Sequence, residues 1–287
     1  MNINSKCYRF DYIQFGNGLL DNIIDAVYVI LLENSDRTED VYKQINDYKL
    51  SKNTYIQINK GYKNCDKKLV KQQSNFDLVD SNYNIWLHAN KNNYNNILIL
   101  EDDFEFDNRI LDKNVLQDLD DFINNNDFDI YSLGSRPILL SLPITNIKHI
   151  RLSHQSASQS IIITKNTRST LIDKYINDKQ FLIKNYGDID REYNNYRFYS
   201  YYKPLCYQIF PETENQKNWY NGKNILDKIM IYININFIVK IFNLHHTSQP
   251  GWDYLYILFY MFNITFYLII LYVIFCIVYP KYFRNAF

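Results

Sequence analysis

The apolar run Ile97-Leu98-Ile99-Leu100 ends in three consecutive carboxylates, Glu101-Asp102-Asp103. Acids packed side by side disfavour one another's ionisation unless a cation neutralises them. Their hard oxygens suit Mg2+ or Mn2+, and those cations in turn suit a diphosphate. An apolar run of this kind reads as a strand buried on both faces of an α/β sheet. Open α/β sheets bind ligands in the crevice beyond the carboxyl ends of their strands, so the acids stand where a ligand would. The plainer alternative is an acidic loop, Glu101 to Asp107, that caps the next helix.

Other residues able to do chemistry are scattered. Arg37, Lys60 and Lys63 follow expected strand ends on the same edge and can pair with phosphate, or serve as solvated surface charges. Gly187-Asp188-Ile189-Asp190 offers two carboxylates at i, i+2, and Asp188 is also placed to cap a helix starting at Ile189. Ser153, His154 and Ser156 lack a Gly-x-Ser-x-Gly elbow, which argues against hydrolase chemistry. His245-His246 has no companion ligand at metal spacing.

The elements that must position these residues alternate. Val27–Leu32 reads as a buried strand, and Asp36 is placed to cap a helix from about Thr38 to Tyr48. Thr54–Asn59 is a second strand ending at Lys60-Gly61, and Phe76–Ala89 a helix leading into the acidic strand. This βαβαβ order predicts an α/β fold whose sheet is mostly parallel, Rossmann-like and flanked by helices. Downstream come a helix over Leu116–Ile123 and a short strand Asp129–Leu133 turning at Gly134. Short strands or irregular structure around Pro143 follow at Leu139–Ile144 and His149–Leu152, then strand Ser160–Thr164, helix Thr167–Tyr175 and a final strand Leu205–Phe210.

Composition narrows the class. The 287 residues carry 31 basic and 31 acidic side chains, so no basic footprint for nucleic acid exists. The four cysteines, Cys7, Cys65, Cys206 and Cys276, show no CxxC pair or metal spacing, and read as free thiols of a reducing compartment. Met1 to Leu20 has no apolar core of signal-peptide length. Tyr254 to Tyr279 contains no Asp, Glu, Lys or Arg, and as a helix would reach roughly 39 Å at about 1.5 Å per residue. With aromatic residues at both ends, it predicts a transmembrane anchor. Ile225 to Leu244 is apolar but carries Asp227, Lys228 and Lys240, which suits an interfacial helix or the first arm of a membrane hairpin. Three segments are expected: 1–222 globular, 223–250 interfacial, and 251–287 anchor and short tail.

Val27-Tyr28-Val29-Ile30-Leu31-Leu32 with Asp36-Arg37, then Ile97 through Asp103, then Tyr131-Ser132-Leu133-Gly134, resembles the glycosyltransferase family 25 pattern of lipopolysaccharide and procollagen galactosyltransferases. Asn59-Lys60-Gly61-Tyr62-Lys63 and Leu100-Glu101-Asp102-Asp103-Phe104 are also similar to glycosyltransferase-like chains of giant viruses. The resemblance covers roughly Ala26 to Trp219, and its most specific element is the strand with Glu-Asp-Asp.

The resemblance implies a GT-A fold, a nucleotide-sugar donor, Mn2+ (or Mg2+) and inversion at the sugar carbon, in a viral protein of a host or virion membrane. It implies Asp103 as metal ligand and Glu101 as a contact to the donor ribose or a metal-bound water. Asp102 would contact the donor or turn back to orient its loop. Leu32, Arg37, Lys60, Lys63 and Gly134 complete the donor side. Asp188 and Asp190 become candidate bases for an acceptor hydroxyl. Gln208, Asn218 and Trp219 would line the acceptor or sugar side, Trp219 offering a stacking face. The acceptor is a glycan or protein. The family's Ser-His pair before the acidic strand is replaced by Trp86-Leu87-His88-Ala89, which leaves the acceptor open. A carboxyl-terminal anchor suggests a catalytic domain facing the cytosol. The rival readings are a nucleotidyltransferase and an inactive, membrane-tethered binding module.

Overall fold

The computed structural model describes residues 5–178, 188–209, 225–233, 238–244 and 247–278. Its centre is a nine-stranded sheet in the order β1-β3-β2-β4-β9-β6-β10-β8-β7. The strands are β1 (Tyr8–Gln14), β2 (Ala26–Leu32), β3 (Asn53–Asn59), β4 (Asn96–Glu101), β6 (Ile130–Ser132), β7 (Arg136–Leu140), β8 (His149–Ser156), β9 (Ser160–Thr164) and β10 (Phe198–Tyr201). A separate antiparallel pair joins β5 (Phe104–Phe106) to β11 (Cys206–Gln208). The sheet is mixed: β2 runs parallel to β3 and β4, and β6 to β10, while β1, β7, β8 and β9 pair antiparallel.

The acidic strand is apolar throughout because it is buried on both faces. Leu98 and Leu100 pack into one core layer with Val41 and Ile45 of α1 (Thr38–Tyr48) and Leu119 and Phe122 of α3 (Lys113–Asn125). Ile97 and Ile99 point the other way, toward Phe76, Val79 and Trp86 of α2 (Ser74–Lys91) and Leu171 of α4 (Lys165–Asn177). That alternation is the period-2 geometry of a strand sandwiched between helix layers.

Three expectations change. Cys7 and Cys65 are joined in a disulfide across 58 residues, so only Cys206 and Cys276 are free thiols. The argument for a reducing compartment loses its ground, because sequence spacing says nothing of two cysteines that the fold brings together. Strand β1, unforeseen, pairs with β3 and closes that end of the sheet. The stretch expected as strand at Leu139–Ile144 belongs to β7, which starts at Arg136 and ends at Leu140, pairing with a β8 that extends to Ser156.

The long apolar segment forms one helix, α7 (Gly251–Val278), of 28 residues, long and apolar enough to cross a membrane. The packing runs across the division expected near residue 222, since the first half of α7 docks on the globular part. Trp252 and Tyr256 are buried, and the Asp253 carboxylate takes a two-pronged pair from Arg109 at 2.9 and 2.5 Å. Before it, Ile225–Ile233 is helical (α6), within the Ile225 to Leu244 stretch expected to form a helix.

Candidate active site

Strand β4 ends at Glu101, and the chain then turns sharply into β5, so Asp102 and Asp103 occupy the turn. The three acids separate into different environments. Asp102 folds back to the loop after β2, where it receives Arg37 Nη1 at 2.7 Å and Ser35 Oγ at 3.1 Å. Burial still raises its pKa, with Arg37 opposing.

Asp103 is held differently. Pairing of β5 with β11 puts Gln208 opposite Phe104, and the Gln208 amide donates to Asp103 Oδ2 at 2.8 Å. The Ile209 N–H donates to the Asp103 carbonyl at 3.1 Å. The other carboxylate oxygen, Oδ1, is buried without a hydrogen-bond partner, and so is Gln208 Oε1. An unsatisfied buried carboxylate oxygen is expensive, and such groups are rare in folded proteins. Burial and Asp102 push the Asp103 carboxyl up to about 7.

Glu101 is the most perturbed acid. Burial first, then Asp103, Asp190 and Asp102, hold its pKa well above the usual carboxylate range, with Arg37 opposing. Its backbone N–H donates to the Gln159 carbonyl at 3.0 Å. A water-sized cavity lies beside it, lined also by Ile30, Asn82, Ser158 and Tyr193.

Asp190 comes to this cluster from the opposite end of the chain. It sits in the short helix α5 (Ile189–Tyr193), and its carboxylate accepts the Ala157 N–H at 2.8 Å and the Ser158 N–H at 3.3 Å. Ala157 has φ +60°, an uncommon left-handed conformation for a residue with a Cβ, and sits in the turn that aims both amides at the carboxylate. Burial and Asp188 push Asp190 up to about 6. Arg136 is near enough for Asp190 to favour its charge, while burial lowers its guanidinium to about 10.

Glu101, Asp102, Asp103 and Asp190 therefore converge. Asp188 occupies the N-cap position of α5 without a side-chain cap hydrogen bond and lies 3.5 Å from Arg191. Arg37, expected to meet phosphate, pairs with Asp102. Gln208, expected on the acceptor side, holds Asp103. Leu32 is half exposed at the carboxyl end of β2. Lys60 and Lys63 are exposed beyond β3, two strands from β4. Gly134 lies where a Cβ would strike the Cys206 carbonyl, so only glycine lets β11 approach. Asn218 and Trp219 lie outside the described residues.

Sequence reading missed Gln159, Arg136 and the Ala157-Ser158 turn, and took Trp252 for an interfacial anchor, whereas it is buried and its Nε1 donates to the Gln208 carbonyl at 2.9 Å. Each enters through long-range strand pairing or helix docking, which leaves no local motif.

Among the described residues, no three His, Cys, Asp or Glu side chains form a ready-made metal cage. The free Asp103 oxygen nevertheless fits a hard cation of the kind bound by one or two carboxylates, with waters and substrate phosphates supplying the rest.

No family model matches the chain, and neither does any curated protein. Solved structures similar in shape include protein A197 from STIV, with TM-score 0.40 and 10% identity over 66% of this chain and 87% of that one. Another is a glycosyltransferase involved in the glycosylation of the major capsid of PBCV-1, with TM-score 0.39 and 8% identity over 66% of this chain and 96% of that one. Likeness this loose transfers no activity.

Proposed function

We propose that the chain is a metal-dependent, inverting glycosyltransferase of GT-A type. It would move a hexose, galactose or glucose by family resemblance, from a nucleotide-diphosphate donor to a glycan or protein acceptor. The observation that carries this reading is the Asp103 carboxylate, fixed by Gln208 on one oxygen and unpartnered on the other, at the carboxyl end of β4 beside Glu101 and Asp190.

Asp103 Oδ1 would hold Mn2+ or Mg2+, which supplies positive charge to the diphosphate as it leaves. Glu101, two residues away, would meet the donor ribose or a water on the cation. Asp102, tied to Arg37 and Ser35, orients the turn that presents Asp103. Lys60 and Lys63 would supply further positive charge for phosphate on the same sheet edge.

Asp190 is the base in this reading. It takes the acceptor hydroxyl proton as the acceptor oxygen bonds to the sugar carbon, while the bond from that carbon to the diphosphate oxygen breaks on the opposite face. The two backbone amides keep the carboxylate oriented, and its pKa near 6 suits a base working close to neutral pH. Asp188 tunes that value, and Arg136 adds a buried positive charge nearby.

The test uses the full chain in detergent or nanodiscs, since α7 supports the site. Hydrolysis of nucleotide sugars is measured with Mn2+ and with chelator. Manganese-dependent turnover of one donor, lost in Asp103→Asn, is expected. Absence of both turnover and metal-dependent donor binding would replace this reading with the inactive module. Release of pyrophosphate from a nucleoside triphosphate would point to nucleotidyl transfer instead.

A further inference from the structure

We infer that the tip of the β7–β8 hairpin is inserted in the bilayer beside α7, so that the sheet edge itself, and not only the helix, is a membrane-contact surface. Helix α7 runs alongside β7 in the same direction: Tyr256 OH donates to the Ser135 carbonyl at 2.9 Å, and Asn263 reaches Leu140 eleven residues from the start of that docked face at Trp252. Tyr267 OH donates to the Leu140 carbonyl. Beyond Tyr267, from Leu268 to Val278, nearly every residue of the helix is exposed. The hairpin tip that follows Leu140 thus lies level with the point where the helix leaves the protein.

Length then fixes the depth. Lys281 and Arg284 limit how far toward the carboxyl end the apolar span can slide. Counted back from Val278, about 20 residues span a hydrocarbon core of about 30 Å, and that count begins at Phe259. Tyr267 lies eight residues further on, about 12 Å inside the core at about 1.5 Å per residue. A helix docked rigidly along β7 carries the hairpin to the same depth.

The hairpin is built for that solvent. Pro137 to Ile147 contains no Asp, Glu, Lys or Arg. Leu142, Ile144 and Ile147 are 56, 53 and 81% exposed, continuous with the exposed apolar outer face of α7. β7 is an edge strand, and its outward polar groups are met by helix side chains. Asn263 Oδ1 accepts the Leu140 N–H at 2.9 Å, Asn263 Nδ2 donates to the Ile138 carbonyl at 3.2 Å, and Tyr267 takes the Leu140 carbonyl. Water would satisfy such an edge at no cost, whereas lipid cannot, so an edge in lipid needs this internal pairing. Of the charges nearest the tip, Lys148 is paired with Asp118 at 2.6 Å, and exposed Arg151, across from Ser141 on β8, has a side chain long enough to reach toward the headgroups.

The test places a fluorophore by Ile147→Cys in a Cys276→Ser background, with Asp47→Cys on α1 as the water-facing control, in full-length protein reconstituted in phosphatidylcholine vesicles. Doxyl groups on the acyl chains should quench the Ile147 probe at least about threefold more than the control, and iodide should quench it correspondingly less. Equal iodide quenching at both positions would overturn the inference. A probe shielded from iodide yet untouched by doxyl lipid would also overturn it, assigning the tip to a protein contact instead.

Discussion

Two acidic clusters are buried in this domain, and they are treated in opposite ways. Under β1 and β3, Asp77 and Asp80 are fully answered. Lys67 Nζ donates to Asp77, to Asn59 Oδ1 at 2.6 Å and to the Tyr8 hydroxyl at 2.9 Å. Asp77 also accepts the Tyr62 N–H at 3.1 Å, and Asp80 accepts the hydroxyls of Tyr8 and Tyr175, each at 2.6 Å. At the end of β4, by contrast, Arg37 answers Asp102 alone. Glu101 and Asp103 remain crowded, with one oxygen of Asp103 unpartnered. A fold able to surround one set of acids so completely leaves the other set exposed to its own repulsion, which is the pattern expected of a site awaiting a cationic ligand.

Breaking the satisfied cluster should have the largest effect. Lys67→Met leaves Asp77 buried and uncompensated, and removing one partner of a buried pair costs about 3–5 kcal/mol. The variant is expected to show a sharply lowered denaturation midpoint, or no soluble folded protein. A shift under about 1 kcal/mol would mean that Asp77 finds water or protonates freely, and the contrast between the clusters would collapse.

Asp103→Asn should do the reverse, abolishing function while sparing the fold. Loss of donor turnover of about 10²–10³-fold is expected, the scale of one removed electrostatic contact to a developing charge. Stability should rise. Burial and Asp102 push the folded carboxyl up to about 7, well above the ordinary aspartate value it regains on unfolding, so the ionised group costs stability at pH 7.5 and nothing at pH 3. The amide removes that cost, so the thermal midpoint should increase at pH 7.5 and stay unchanged at pH 3. A midpoint lowered at pH 7.5 would show that the carboxylate is a structural group after all.

The same titration predicts ligand behaviour. A cation held as proposed would bind the ionised Asp103, so protons would compete with it as pH falls through about 7. Mn2+ affinity in calorimetry should be nearly flat above pH 8 and fall about tenfold per pH unit below 6 if one proton is displaced. A flat profile from pH 5 to 8 would mean that the metal bypasses Asp103.

Much of the strand framework around β4 was legible in the chain, and little of the site's second half or of the Lys67 cluster. The run Ile97–Leu100 could only be a doubly buried strand, and the acids after it had to lie at its carboxyl end. Residues near in sequence to that end, such as Asp102 and Asp103, were therefore placed by period alone. Gln159 and Gln208 arrive through antiparallel pairings of β9 with β4 and of β11 with β5, whose register no local pattern specifies, and Asp190 arrives on α5 through the turn at Ala157-Ser158. Cys7 and Cys65 were read as free thiols for the same reason: nothing local signals their pairing. The apolar helix was legible by length and hydropathy, but its docking was not, because Trp252 and Asn263 look like ordinary members of an apolar run.

That docking connects the comparison to the membrane. Trp252 donates to the carbonyl of Gln208, the residue whose amide holds Asp103, so the helix braces the unsatisfied cluster. Trp252→Phe keeps most of the apolar volume and removes one hydrogen bond, which costs about 1 kcal/mol. Because the lost bond is to the residue that holds Asp103, its effect should fall unevenly if that turn holds the proposed metal: a modest stability loss, a several-fold weaker Mn2+ affinity, and no change in protection of the buried amides around Asp77 in hydrogen exchange. Uniform loss of protection across both clusters would show that Trp252 stabilises the whole domain and has no special link to Asp103.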